Sequence, residues 1–299
     1  MKILVTGSNG LLGQKLTALI SSRSEHQLIA TGRSAESPKG FSGQYRTLDI
    51  TDKNSVERVL TETRPDIIIH GAAMTQVDDC EVNREACWKS NVDATGFLLE
   101  ASRIINAHFI FVSTDFIFDG NQGLLDEEAV PAPVNYYGES KLAAEKLVMG
   151  YPGQWAILRT VLVYGVTPDK SRSNIILWVK NSLEAEKPIR VVNDQWRTPT
   201  LAEDLAMGCL LAAEHKAEGV FNVSGAEMMT PYDIAVRTAL FFNLNDELIT
   251  ETDSSTFKQT AARPLKTGFK IDKARKAWGY RPHTFEESLR LLARQLTSV

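Results

Sequence analysis

The sequence predicts an α/β fold, a doubly wound parallel sheet with a smaller, interleaved C-terminal domain, and three observations carry that prediction. Short apolar runs alternate with segments of helical periodicity through the first half of the chain; the first run passes straight into a loop with glycines at 7, 10 and 13; and from Pro168 the alternation breaks down. Strands buried on both faces read as continuous apolar runs because helices cover each side of a parallel sheet.

Six runs read as such strands: Ile3–Thr6, Leu28–Thr31, Tyr45–Leu48, Ile67–His70, Phe109–Ser113 and Trp155–Arg159. Between them, Leu11–Ser21, Asn54–Glu62, Arg84–Ile105 and Tyr137–Met149 carry apolar residues three and four apart and read as the crossover helices. Pro168–Thr200 shows no such rhythm. Leu201–Glu214 reads as a helix returning to the main sheet, whereas Pro231–Leu244, Lys273–Trp278 and Phe285–Thr297 read as helices of a cap. The expected division is residues 1–165 for the main domain and 166–299 mainly for the cap, with 201–214 interleaving the two.

A chain of 299 residues, 43% hydrophobic and 23% charged, has enough apolar material for a large core. Its net charge of −4 and lack of single-sign runs exclude the basic footprint of a nucleic-acid binder, so a small molecule is the expected partner. Cys80, Cys87 and Cys209 show neither a disulfide framework nor a metal-ligand spacing and read as reduced thiols. The first strand starts at Lys2, leaving no room for a leader, and no apolar stretch reaches about 18 residues. A cytoplasmic protein is expected, off the membrane, with a homodimer as one option.

The glycine loop suits a pyrophosphate. It needs a tight turn, close backbone approach and a helix N-terminus facing the anion, and Gly7, Asn9, Gly10, Leu11, Leu12 and Gly13 are the expected cradle of a Rossmann dinucleotide site. A bare strand-to-helix turn would use the same glycines. Arg33 follows Gly13 by about 20 residues, where an acid would select NAD, and its guanidinium complements the extra phosphate of NADP. NADP(H) is therefore expected, NAD(H) being the alternative; a solvated surface arginine is the plain reading of the same residue. Asp49 and Ile50 suit the adenine amino group and ring, although Asp49 would serve equally as a helix cap before Asn54. Gly71, Ala72, Ala73 and Met74 would let backbone approach the cofactor, or simply pack a helix closely. Asn91 lies within an amphipathic helix, where a buried amide would cross-link strand ends near the nicotinamide and an exposed one would do nothing.

Tyr137 and Lys141 stand four apart on a predicted helix and so reach one site. A free phenol titrates near ~10, and a neighbouring ammonium would lower that value. The strand before them ends Ser113-Thr114-Asp115, and the carboxyl ends of α/β strands are where ligands bind. There the Thr114 hydroxyl would reach a substrate oxygen.

At these residues the chain resembles the dTDP-4-dehydrorhamnose reductases, extended short-chain dehydrogenases/reductases acting on nucleotide sugars. The segments Thr75-Gln76-Val77-Asp78, Ser113 through Gly120, Tyr137 through Lys141, Arg159-Thr160 and Val191 through Gln195 with Pro199-Thr200 carry the likeness over nearly the whole chain. The resemblance implies that Thr114 orients a carbonyl, Tyr137 donates the proton, Lys141 holds the ribose and tunes Tyr137, and the nicotinamide supplies hydride. Ser113 is an expected cofactor contact and Asp115 an expected substrate contact, and no residue is assigned to a metal. Two stretches depart from it. Val161-Leu162 stand where the family has Ser-Trp, and Trp196-Arg197-Thr198 where it has Phe-Gly-Ser. Both fall in the substrate pocket, where Asn174, Trp196, Arg197 and Arg263 are the candidates for holding a nucleotide diphosphate, each with a packing alternative. Phe116 occupies the place where dehydratase relatives carry Glu, which argues against dehydration. A nucleotide-sugar epimerase and a non-catalytic NADP-binding regulatory subunit stay open as alternatives.

Overall fold

The computed structural model describes residues 1–37, 41, 43–167, 174–257 and 259–297, so Pro168 lies outside the described residues. The opening apolar run is strand β1 (Lys2–Thr6), buried from Ile3 onward, which feeds α1 (Leu11–Ser21) through the glycine loop. β2 (Gln27–Gly32), β3 (Gln44–Thr47), α2 (Lys53–Thr63) and β4 (Ile67–His70) follow. Next come two short helices, α3 (Val77–Val82) and α4 (Arg84–Trp88), a π-helical turn at Lys89–Asp93, and α5 (Ala94–Ile105). β5 (His108–Thr114), α6 (Tyr136–Met149), β6 (Trp155–Thr160) and β7 (Val163–Tyr164) complete the first half. The second half runs α7 (Ile175–Glu184), β8 (Ile189–Val192), β9 (Thr200–Leu201), α8 (Ala202–Glu214), β10 (Gly219–Asn222), α9 (Pro231–Phe241), β11 (Ile249–Thr252), α10 (Asp272–Trp278) and α11 (Phe285–Thr297).

Seven parallel strands form the main sheet in the order β10-β6-β5-β4-β1-β2-β3. The order reverses between β1 and β4, so the crevice at their carboxyl ends is the topological switch point where such sheets bind ligand. Alternate residues of each strand enter opposite cores. Ile3, Val5, Ile67 and Ile69 pack with α1, α8 and α10, while Leu4, Ile68, Phe109 and Phe111 pack with α2, α5 and α6. That division of one apolar run between two faces is the physical content of double winding. A smaller unit is built on α7, α9 and α11 with the two-stranded β11-β8 sheet, around Ile176, Val179, Ile234 and Leu289.

Three expectations change. The helix expected over Arg84–Ile105 is broken by the π turn, which carries Asn91 inward to the loop after β4. The helix 273–278, expected in the cap, belongs to the main core: Ile271, Ala274 and Trp278 lie with Ile3 and Leu16, and Trp278 packs on Phe221 of β10 with ring centroids 4.3 Å apart. The strand β10 itself was hidden, because its four residues, Gly-Val-Phe-Asn, show no long apolar run. α8 packs beside α1.

Candidate active site

The cradle at the end of β1 is shaped by what cannot fit there. Gly7 has φ +73°, and a Cβ on it would lie 2.9 Å from the Ala72 Cα; a Cβ on Gly13 would collide with the Gly7 carbonyl oxygen. Backbone thus approaches backbone at the switch point, with Ala72 N–H donating to Thr6 Oγ1 at 3.2 Å. α1 starts after Gly10 with no side-chain cap and no acid in its first turn, so the N–H groups of Leu11 and Leu12 open a helix end that favours an anion. Asn9 Oδ1 accepts from Ser8 Oγ (3.2 Å) and Tyr45 Oη (3.4 Å), tying the loop to β3.

At the end of β2, Arg33 is exposed, and its charge, with the Thr51 N–H bond as the larger cause, helps hold the Asp49 carboxyl below its ordinary range. Asp49 is not the cap of α2; Asp52 Oδ1 accepts from Asn54 N–H at 3.0 Å in that role, leaving Asp49 bonded to Thr51. Ile50 is buried in the core beside it. Ala73 and Met74 follow β4, and the buried Asn91 amide links Met74 to α6: its Oδ1 accepts from Met74 N–H (2.8 Å), and its Nδ2 donates to Met74 O (3.0 Å) and Ser140 Oγ (2.9 Å). Ser113 Oγ is buried and has no hydrogen-bond partner among the described residues. An uncapped helix end, a backbone cradle and an orphaned hydroxyl fit a dinucleotide along this crevice.

Thr114, Tyr137 and Lys141 are brought together at the end of β5, all three buried. Asn135 caps α6, accepting from Gly138 N–H at 2.9 Å, and so sets the first turn on which Tyr137 sits. The phenol lies beside Thr114, and its ring meets Phe116 edge-on at 5.8 Å. Lys141 Nζ donates to Val112 O at 2.8 Å and lies 3.9 Å over the Phe111 ring. The expected lowering of the Tyr137 pKa by Lys141 does not arise. Burial raises the phenol well above its ordinary value, and burial also pulls the Lys141 ammonium from 10.5 down to about 7. Shared burial penalises both charged forms.

The four diphosphate candidates separate. Arg263 forks onto Asp78 (2.6 and 2.7 Å), holding that carboxyl down at about 2. Arg197 is buried; it donates to the carbonyls of Trp196 (2.8 Å), Leu265 (3.0 Å) and Pro264 (2.6 Å), with Nε 3.5 Å from Asp115 Oδ2. Asp115 is buried too, accepting from Thr114 Oγ1 at 3.3 Å and from Thr267. Asn174 caps α7, accepting from Ile176 N–H at 3.1 Å, and donates to Gly165 O at 2.7 Å. It lies at an open cleft of about 430 Å³ with Trp178, Arg190 and Phe257, residues the sequence did not single out. The exposed arginine within the Ile189–Val192 alternation was the available signal. Trp196 stays half-exposed, its backbone N–H donating to Leu265 O at 2.6 Å.

Among the described residues no helix is long and apolar enough to cross a membrane. The family model described as the RmlD substrate binding domain matches residues 1–298. The chain is 32% identical over 248 residues to the methionine adenosyltransferase 2 subunit beta of Pongo abelii, covering 81% of this chain and 72% of that one. It is 30% identical over 276 residues to the dTDP-4-keto-6-deoxy-D-glucose reductase of Streptomyces niveus, covering 92% and 90%. The solved dTDP-4-dehydrorhamnose reductase of Bacillus anthracis in complex with NADP superposes with a TM-score of 0.83 at 28% identity, over 98% of this chain and 99% of that one. The chain belongs to the RmlD substrate-binding-domain family and is a dTDP-4-dehydrorhamnose-reductase-like member of the extended short-chain dehydrogenases/reductases.

Proposed function

We propose that the chain is an NADPH-dependent reductase of a 4-keto nucleotide sugar, working in the cytoplasm. The observation that carries this reading is the meeting of Thr114 and the Tyr137 phenol at the end of β5, one helical turn from Lys141 and beside a glycine cradle at the switch point. The solved relative with NADP and the Streptomyces reductase support the cofactor and the substrate class.

When bound, NADPH supplies the hydride. Tyr137 gives the proton: its raised pKa keeps the phenol protonated at neutral pH, the state a donor to a developing alkoxide must start from. The Thr114 hydroxyl, beside that phenol, orients the carbonyl oxygen. Lys141 spends a hydrogen bond on Val112 O and keeps donors for ribose hydroxyls. Ser113, whose buried hydroxyl has no partner among the described residues, and exposed Arg33 would hold the cofactor, Arg33 as a partner for its extra phosphate. We place the nucleotide end of the substrate in the cleft of Asn174, Trp178, Arg190 and Phe257, with Trp196 nearer the sugar. Arg197 and Arg263 act from behind, holding residues 261–267 against Asp115 and Asp78.

The test is a screen of nucleotide-linked 4-keto sugars for NADPH oxidation. Turnover of one of them is the expected result; no turnover with NADPH bound would favour the second reading, a cofactor-binding subunit. The methionine adenosyltransferase relative is the observation on that side.

A further inference from the structure

Cys80 and Cys87 take no part in the proposed reaction, yet both are fully buried in a cluster with Tyr137. The two thiols lie in one cluster at the same loop. They also belong to the polar link between the Met74 loop and α6. Cys80 Sγ donates to Met74 O at 3.5 Å; Asn91 Nδ2, already on Met74 O, donates to Cys87 Sγ at 3.4 Å. Cys87 Sγ donates to Ser140 Oγ at 3.5 Å, and Ser140 Oγ donates to Tyr137 O at 2.7 Å. Any change at this sulfur pair is therefore felt on both walls of the cofactor crevice.

The two thiols are unlike. Its neighbour Cys87 and burial hold the proton on Cys80, while Cys87 is lowered by its neighbour Cys80 and also accepts from Asn91 Nδ2, a contact that favours a thiolate. Cys87 is thus the nucleophile of the pair and Cys80 the thiol placed to resolve it. α3 and α4 are helices of only six and five residues, and their local opening would admit a molecule as small as a peroxide.

We propose that Cys80 and Cys87 are a modification site, a dithiol that hydrogen peroxide converts to a reversible disulfide, weakening cofactor binding. The Cys87 thiolate attacks one peroxide oxygen, the O–O bond breaks, and hydroxide leaves a sulfenic acid behind. The Cys80 sulfur then attacks the Cys87 sulfur, its proton departs, and water leaves as the S–S bond forms. Two sulfurs lose two electrons and one peroxide becomes two waters; an added dithiol reverses the exchange. A disulfide of about 2.05 Å is much shorter than any non-bonded contact between two sulfurs, so α3 and α4 must close on each other. Cys87 can then no longer donate to Ser140.

The experiment uses the full chain, reduced, then treated with hydrogen peroxide, blocked with N-ethylmaleimide and digested with trypsin without reductant. Arg84 lies between the cysteines, so a disulfide leaves two peptides joined until dithiothreitol is added. The expected result is that joined pair, with NADPH affinity by fluorescence titration lowered several-fold and restored by dithiothreitol. Cys80→Ser should lose both effects. Cys209→Ser should keep both, since Cys209 lies on the other face of the sheet with its thiol pushed up to about 12 by burial. Separate oxidised cysteines with no joined peptide would overturn the proposal, and so would a disulfide that leaves NADPH affinity unchanged. Only the cofactor effect rests on the proposed function: a reduced protein that does not bind NADPH refutes that effect together with that reading, while the joined peptides are judged independently.

Discussion

Replacing Lys141 with methionine sets stability against function at one position. The Lys141 side chain is buried, and burial lowers its pKa from 10.5 to about 7, so keeping it charged in the folded protein costs free energy. At about 1.4 kcal/mol for each tenfold change in the acid constant, that fall caps the cost at ~5 kcal/mol near or below pH 7. Against it stand the 2.8 Å bond to Val112 O and the position 3.9 Å over Phe111, each worth about 1 kcal/mol. Methionine keeps the length of the side chain without its charge, so Lys141→Met should gain stability at pH 7, by at most about 3 kcal/mol. The sign with pH follows from the folded pKa lying below the unfolded one. Between about 7 and 10.5 the unfolded chain holds the proton and the folded chain has released it, so the unmodified protein gains stability as pH rises. The variant does not. Its advantage should shrink across that window, and at the upper end the retained hydrogen bond should favour lysine. Urea unfolding of both proteins at several pH values, beside NADPH titrations in which the variant binds more weakly, measures this. A variant less stable at pH 7, or a gap that does not narrow with pH, would refute the account of Lys141 as a costly buried charge.

Tyr137→Phe removes only the phenol oxygen and should lower turnover of a 4-keto nucleotide sugar by about 10²- to 10⁴-fold, with NADPH affinity nearly unchanged; turnover at the unmodified rate would move the proton donor elsewhere. Arg33→Ala should reduce the preference for NADPH over NADH, and equal affinities in the unmodified protein would show that Arg33 does not read the phosphate. Gly13→Ala drives a Cβ into the Gly7 carbonyl, so NADPH binding should be lost and the melting temperature should fall; unchanged binding would mean the turn has room that its geometry denies. Asp78→Asn breaks the fork with Arg263 and, because Asp78 is half-exposed, should cost only about 1 kcal/mol at neutral pH. That cost should disappear as pH falls from 3.8 through about 2, since the depressed folded pKa stabilises the protein only while the carboxylate is charged.

Most of the main domain was legible because its signals are local. The predicted helix Leu11–Ser21 and strand Ile67–His70 coincide with α1 and β4, and the remaining predicted strands differ by a residue or two at their ends. Periodicity reports which faces are covered, and in a parallel sheet that suffices. The break at Asn91 escaped because a π turn leaves no local mark; its cause is a partner, Met74, seventeen positions earlier in the chain.

The arginines show where such reading stops. A guanidinium near a phosphate site reads as a ligand hand, yet Arg197 and Arg263 spend their donors on Pro264, Leu265, Asp78 and Ala261. Their partners come from segments far apart in the chain, so only the folded protein reveals that they hold residues 261–267 across the end of β5 and the N-cap of α6. Asn135 completes that clasp, donating to Ala262 O at 2.8 Å while accepting from Gly138 N–H. One asparagine thus joins the C-terminal segment to the turn that carries Tyr137. Spacing placed Tyr137 beside Lys141, but the charge state of the pair depends on burial, which spacing does not encode. The same four-residue interval on an exposed helix would have left the lysine fully charged and able to lower the phenol.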